Sequence, residues 1–338
     1  MLTVDAVTVR DLYPMARAVE DMRRAFTAFS SGRVRQPQRT LTPGDAEGEV
    51  LATMPAHVPL GAGSGPGAFG IKVIAVQPGN IARGLDPHVG VVLLLDPETC
   101  EPMAMLDATV ITEIRTAAAS AVATDVLARP DAEVIAVLGT GAQARSHIEA
   151  VSLVRRPREI RVWGRTAAHA RTLAAEYAGR LPVRAVPSVT EAVAGADVVS
   201  TVTSSAEPVL DASQVRPGTH INAVGAVFAG RRELASDLVE RARVLTDSRQ
   251  SALSEAGDLL FPMREGRFGE EHVRGEIGDV LIGRCPGRTT EDDITVFESL
   301  GLAVQDVVAA WSVYERATAE GRGTRVRLTG TEHEGTGR

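Results

Sequence analysis

Five consecutive apolar residues, Val134-Ile135-Ala136-Val137-Leu138, run directly into Gly139-Thr140-Gly141-Ala142-Gln143-Ala144 and then into a helix-like segment from Arg145. A short apolar run that ends at glycine reads as a buried strand. The glycines allow a tight turn and a close approach of the backbone to a ligand. A helix that starts at once then aims its free N–H groups and positive dipole end at a pyrophosphate. The spacing is G-x-G-x-x-A, with alanine third, where a small residue lets the helix pack close to the strand. The flanking sequence supplies the expected context: a helix through Val151, a break at Pro157 and a second strand from Glu159 to Gly164. Gly139, Thr140, Gly141, Ala142 and Gln143 are therefore expected to hold a dinucleotide.

The end of the second strand indicates which one. About 20 residues past the glycines, an NAD site offers an acid to the ribose 2′-hydroxyl. Here the chain reads Trp163-Gly164-Arg165-Thr166, without an acid. Arg165 can pair with a 2′-phosphate and Thr166 can donate to it, so NADP(H) is expected over NAD(H). The competing reading of Arg165 is an ordinary solvated loop residue.

Length and composition narrow the class. With 338 residues, the chain is long enough for two domains. Its two cysteines, Cys100 and Cys285, are far apart and in no C-x-x-C arrangement, so they read as free thiols. The net charge of −7, from 36 basic and 43 acidic residues with the basic ones dispersed, argues against nucleic acid. The seven histidines show no ligand spacing, and no metal is expected. The N-terminus lacks the pattern of a signal peptide, and no window holds the roughly 18 apolar residues of a membrane span. A soluble, cytoplasmic protein with no membrane partner is expected.

Organisation follows from periodicity. A helix over Tyr13–Ser30 carries one apolar face, and short strands are expected over Val50–Met54 and Phe69–Gln77, separated by a Gly/Pro loop from Pro59 to Gly67. Val89–Leu95 and Pro102–Leu106 read as a hairpin, and Thr109–Leu127 as an alanine-rich helix. Strands near Val134, Ile160, Val183, Val198, Ile221 and Val244 then alternate with helices, which implies a parallel sheet covered on both faces. A last long helix is expected over Phe297–Glu320, with a loosely ordered tail from Gly321 to Arg338. The fold class is α/β: a Rossmann dinucleotide-binding domain with a parallel sheet, plus an N-terminal α+β substrate and dimerisation domain. The expected division is residues 1–117, completed by a C-terminal helix at 306–330, and residues 118–305. The reaction site then lies in the cleft between them.

Few residues stand out as carriers of chemistry. Lys72 lies in the otherwise uncharged strand Phe69–Val76, where it either snorkels at an edge or faces a cavity, the second being favoured. Arg115 sits in a helix of small residues, and Arg39 follows the rigid Gln36-Pro37-Gln38; each is otherwise an ordinary exposed arginine. His88, after Asp86-Pro87, is a turn residue or a donor at the cleft rim, and His57 is a weaker candidate. No GxSxG elbow and no phosphate-binding Gly-Lys-Ser/Thr run is present, which disfavours a hydrolase or kinase. Cations beside a nicotinamide suit a small carboxylate-bearing substrate, because they fix that group and place the reacting carbon.

Several segments, in order over nearly the whole chain, are similar to the ornithine cyclodeaminase/mu-crystallin family. They are Gln36–Thr40, Met54–Ala56, Lys72, Val110–Ala118, Gly139–Ala144, His220–Ala226 and Thr295–Gly301. The resemblance implies a homodimer with a Rossmann domain and an N-terminal substrate and dimerisation domain. It implies that Arg39, Lys72 and Arg115 hold the substrate carboxylate, with Lys72 also a proton donor or polariser. Thr203, Val224 and Ser299 are then near the nicotinamide. Members include ornithine and lysine cyclodeaminases, alanine dehydrogenases, and reductases of ketimines and cyclic imino acids.

Where the cyclodeaminases carry an aspartate after Val-Gly-Ala, this chain has Val227, and the position of their other acid is Met54. Neither can hold an ammonium. The ketimine-reductase branch therefore fits better, and the expected reaction is NADPH-dependent reduction of a C=N bond alpha to a carboxylate. The alternatives are a cyclodeaminase, an amino acid dehydrogenase of the alanine type, or a non-catalytic NADPH-binding protein.

Overall fold

The computed structural model describes residues 1–46, 48–59 and 67–328. Two sheets divide the strands. The first holds seven: β1 (Leu2–Val4), β2 (Thr40–Pro43), β3 (Val50–Val58), β4 (Ala68–Val76), β5 (His88–Leu95), β6 (Pro102–Asp107) and the final β15 (Thr324–Arg325), in the order β15-β1-β6-β5-β4-β3-β2. The second holds eight: β7 (Val134–Leu138), β8 (Glu159–Trp163), β9 (Val183–Ala185), β10 (Val198–Thr201), β11 (His220–Ala223), β12 (Arg243–Thr246), β13 (Val273–Glu276) and β14 (Thr295–Glu298). Their order is β13-β12-β14-β11-β10-β7-β8-β9, and every pairing is parallel. From β7 the chain winds one way to β8 and β9 and returns to the other side at β10, so the topological switch point lies between β7 and β10.

Alternation sets the first sheet's two faces. In β3, β4 and β5 the inward positions include Met54, Lys72, Ile74, Val92 and Leu94, all buried, whereas Leu51, Phe69 and Val89 point outward and stay 41%, 47% and 54% exposed. The helix α1 (Ala6–Leu12) and the amphipathic α2 (Met15–Ser30) pack with this layer. The α3 helix (Ala108–Leu127) starts at Asp107, whose carboxylate accepts the Val110 amide at 2.8 Å, a standard N-cap. It is buried on nearly all sides, as a helix lying between two layers must be. Its small residues let α4 (Ala142–Val154) approach through Ala117, Ala121 and Ala150.

The end of the chain differs from expectation. Thr295–Glu298 is a strand in the middle of the parallel sheet, and the last helix spans Ala303–Ala319. Phe297 and Glu298 extend because Val296 and Phe297 insert between β11 and β12, where ladder bonds and burial outweigh helix propensity. The helix ends before residue 320, and Thr324–Arg325 pairs with β1 instead of continuing it to 330. Of the expected loop between Pro59 and Gly67, residues 60–66 lie outside the described residues, as do residues 329–338 of the expected tail. Among the described residues no helix is long and apolar enough to cross a membrane, and no group of three or more His, Cys, Asp or Glu is placed to hold a metal ion.

Candidate active site

The glycine turn leaves the carboxyl end of β7 at the switch point. Gly139 has φ +138°, and a Cβ there would lie 2.7 Å from the Val202 carbonyl oxygen, so both backbone and space require glycine. Gly141 is the N-cap of α4, where no side chain caps the helix and an added Cβ would meet nothing within 4 Å. An uncapped helix start facing open space suits a pyrophosphate. Ala144, third in the motif, is fully buried. His147 anchors α4 to α3 through Ser120 Oγ at 2.9 Å; burial pulls its pKa down to about 4, so it is neutral at pH 7. Arg165 and Thr166 follow β8 and are exposed, and no side-chain hydrogen bond from Thr166 caps the next helix.

A cavity of about 190 Å³ opens beside this turn, between the first sheet and the carboxyl ends of β11 and β14. Its far wall is charged. Lys72, 2% exposed, places Nζ 2.8 Å from Asp306 Oδ2, and Arg115 donates from Nε to Asp306 Oδ1 at 3.0 Å and from Nη1 to Gln305 Oε1 at 3.0 Å. Gly70 makes this meeting possible: a Cβ there would come within 2.7 Å of Val307 Cγ2, so its absence lets the C-terminal helix press onto β4 beside Lys72. Burial pulls the Lys72 pKa down to about 8, with the Asp306 carboxylate opposing the shift and Arg115 adding to it. Arg39 closes the cluster by pairing with Glu255 at 2.5 Å and donating to the carbonyls of Val227 at 2.8 Å and Leu300 at 3.2 Å.

Three cations, Lys72, Arg115 and Arg39, thus meet two carboxylates, Asp306 and Glu255. Counted over direct ion pairs, the cations outnumber the carboxylates by one, while a third buried carboxylate, Asp247, acts on Arg115 from behind without pairing with it. Arg115 Nη2 also has no hydrogen-bond partner among the described residues, although Arg115 lines the cavity. The rest of the lining is largely apolar, with Met54, Ile74, Val76, Val227 and Phe228 prominent. The arrangement suits an anionic group at one end and an apolar body at the other.

Among the described residues, four lining side chains carry buried polar atoms without a hydrogen-bond partner: Arg39 Nε, Thr112 Oγ1, Gln143 Oε1 and Ser299 Oγ. Gln143 belongs to the glycine turn and Ser299 follows β14, so orphaned groups face the cavity from the cofactor side. Together with the uncapped α4, they fit a nicotinamide dinucleotide, which Gly139–Gln143 would hold.

Of the residues expected at the site, Arg39, Lys72, His88, Arg115, Gln143, Val224 and Ser299 all line this one cavity. His88 stands exposed at its mouth. Thr203 does not line it; its amide donates to Glu233 Oε1 at 2.7 Å. His57 lies on the other face of the first sheet, 4.6 Å from the Phe69 ring. Asp306, Gln305 and Glu255 were not singled out in the sequence. Asp306 had a readable signal, a charge between Val304 and Val307 in an apolar helix, the same anomaly that marks Lys72.

Known proteins resemble this chain in sequence and fold. Residues 1–321 match the model of the ornithine cyclodeaminase/mu-crystallin family. The chain is 35% identical over 331 residues to a Delta(1)-pyrroline-2-carboxylate reductase of Bacillus cereus, covering 97% of this chain and 100% of that one. It is 39% identical over 290 residues to the ketimine reductase mu-crystallin of Mus musculus, covering 86% and 88% of the two chains. Among solved structures, the Thermococcus litoralis Delta(1)-pyrroline-2-carboxylate reductase in complex with NADH and L-proline superposes with a TM-score of 0.92 at 34% identity, covering 96% of this chain and all of that one. By its sequence, its two-sheet fold and its cation-lined cavity beside a glycine turn, the chain belongs to the ornithine cyclodeaminase/mu-crystallin family.

Proposed function

We propose that this protein reduces a C=N bond alpha to a carboxylate, turning a cyclic imino acid or ketimine into the amino acid. The observation that carries the reading is the cluster of Lys72, Arg115 and Arg39, one cation more than the carboxylates they pair with directly, at the closed end of an apolar cavity. A substrate carboxylate supplies the missing partner. A reduced nicotinamide dinucleotide, when bound, supplies the hydride. The carboxylate then pairs with the free edge of Arg115 and with Lys72 and Arg39, and this fixes the imine carbon toward Val224 and Ser299. Lys72, with its pKa near 8, is protonated at neutral pH and lines the cavity, so it is the candidate donor to the nitrogen that must gain a proton. Val227 and Met54 line the cavity with apolar side chains, which disfavours the ammonium chemistry of a diamino acid.

The finer cofactor reading is NADP(H), supported by the exposed Arg165 and Thr166 after β8 and by the lack of an acid there. Isothermal titration with both cofactors tests it; tighter or equal binding of NADH overturns it. A homodimer is supported by the apolar outer face of the first sheet, where Leu51, Phe69 and Val89 stay exposed, and sedimentation at micromolar concentration checks it. The division at residues 117 and 305, with the C-terminal helix returning to the first sheet, is supported by the packing of Val307 on Gly70.

Turnover decides the main reading. Δ1-Pyrroline-2-carboxylate or Δ1-piperideine-2-carboxylate should consume NADPH and yield the saturated amino acid. Absence of turnover with both, and with pyruvate plus ammonia, rejects it.

A further inference from the structure

Behind the cavity lies a carboxylate that touches neither proposed ligand. Asp247, at the end of β12, is fully buried, and one of its oxygens accepts the amides of both Leu300 (2.8 Å) and Gly301 (2.5 Å) while the other accepts the Ser248 amide (2.8 Å). Ser299, Leu300 and Gly301 form the cavity wall after β14. Gly301 has φ +87°, and a Cβ on it would fall 2.6 Å from Arg115 Nη1 and 2.8 Å from Nη2. The guanidinium therefore rests directly against this glycine, while Leu300 presents its carbonyl to Arg39 Nη1 at 3.2 Å. A short segment with both amides pinned from behind has its position set by whatever pins it.

We infer that Asp247 is a positioning residue for substrate recognition: by clamping the Leu300 and Gly301 amides it fixes the surface against which Arg115 and Arg39 present their guanidinium groups to the carboxylate. The inference rests on the proposed imino acid reading for its kinetic readout, but not for its structural one. Fixing a charged donor within a fraction of an ångström matters because an ion pair that must first order itself loses much of its gain. Glu298, which points into the same buried region, shows the contrast. Its Oε2 has no hydrogen-bond partner, so it pins nothing.

The test compares Asp247→Asn with Glu298→Gln in the full-length protein with saturating cofactor. Asparagine keeps the size but has one acceptor oxygen for three amides, so in either orientation its NH2 group faces the Ser248 amide or the Leu300 and Gly301 amides as a donor against a donor. Asp247→Asn should raise KM for Δ1-pyrroline-2-carboxylate at least tenfold while the dissociation constant for the cofactor stays within about threefold. Glu298→Gln should leave KM within about twofold. A merely structural role predicts the opposite split, with a smaller active fraction and a lower kcat but an unchanged KM, and that result overturns the inference. If Asp247→Asn does not fold, Asp247→Glu, which keeps the charge but displaces the acceptor oxygens from the Leu300 and Gly301 amides, should give the same rise in KM. If the wild-type protein turns over no imino acid, the proposed reaction fails on its own. Crystal structures of the two variants then decide this inference, which stands if the Arg115 guanidinium and residues 300–301 shift and falls if they superpose on the wild type.

Discussion

The two ends of the cavity are built by different means. At the proposed cofactor end, six contiguous residues from Gly139 to Ala144 offer mainly backbone: a left-handed glycine, an uncapped helix start and a small buried side chain. At the charged end, Lys72 from β4, Arg115 from α3 and Asp306 from the C-terminal helix meet through side chains, and Arg39 from the segment before β2 joins them through Glu255 and two backbone carbonyls. Backbone recognition needs a local conformation, which a short sequence can encode. Side-chain recognition between distant segments needs the whole fold, and each buried charge there depends on its partners to offset desolvation.

The charged end should therefore fail hardest when one member is removed. Asp306→Ala strands two buried cations and should cost about 3–5 kcal/mol of stability, read by denaturant unfolding. Arg115→Ala should lower kcat/KM for the imino acid by roughly 30- to 5,000-fold, with KM rising and kcat falling together. If either variant behaves like the wild type, the two ends do not differ as described.

The backbone end should yield to a single methyl. Gly139→Ala forces alanine to φ +138° with its Cβ 2.7 Å from the Val202 carbonyl. Strain of about 1–3 kcal/mol should appear as a loss of roughly tenfold or more in cofactor affinity by titration, with substrate KM at saturating cofactor nearly unchanged. A loss confined to substrate binding would erase the distinction between the ends.

The smallest effect is a pH dependence that only the charged end should show. Burial pulls Lys72 down to about 8, so its ammonium is present below that pH and lost above it. Because kcat/KM reports groups of the free enzyme, it should fall above about pH 8, approaching tenfold per pH unit. Cofactor affinity measured over the same range should not follow. Lys72→Arg should remove the alkaline limb, since a guanidinium stays charged.

Legibility in the sequence follows the same line. The strand–glycine–helix unit, the hairpin of β5 and β6 and the alanine-rich α3 are set by periodicity, turn chemistry and a cap within a few residues, and the structure has them where they are expected. β14 was not legible: Thr295–Glu298 abuts a helix-like sequence, and only the neighbours β11 and β12 make it a strand. Lys72 was visible as a charge without local company, and Asp306 carried the same mark. That they answer each other across 234 positions was not visible.

The sequence by itself determined a dinucleotide turn, an α/β sheet around it and a set of cations out of place in apolar segments, because each rests on local conformation or on the cost of burying a charge. Only the tertiary structure decided that three cations pair directly with two carboxylates, leaving an edge of Arg115 for a ligand, and that a third carboxylate behind the wall pins the glycine on which Arg115 rests. Charge balance and close approach are properties of positions in space. In this chain, the absent Cβ atoms of Gly70 and Gly301 let those positions come together.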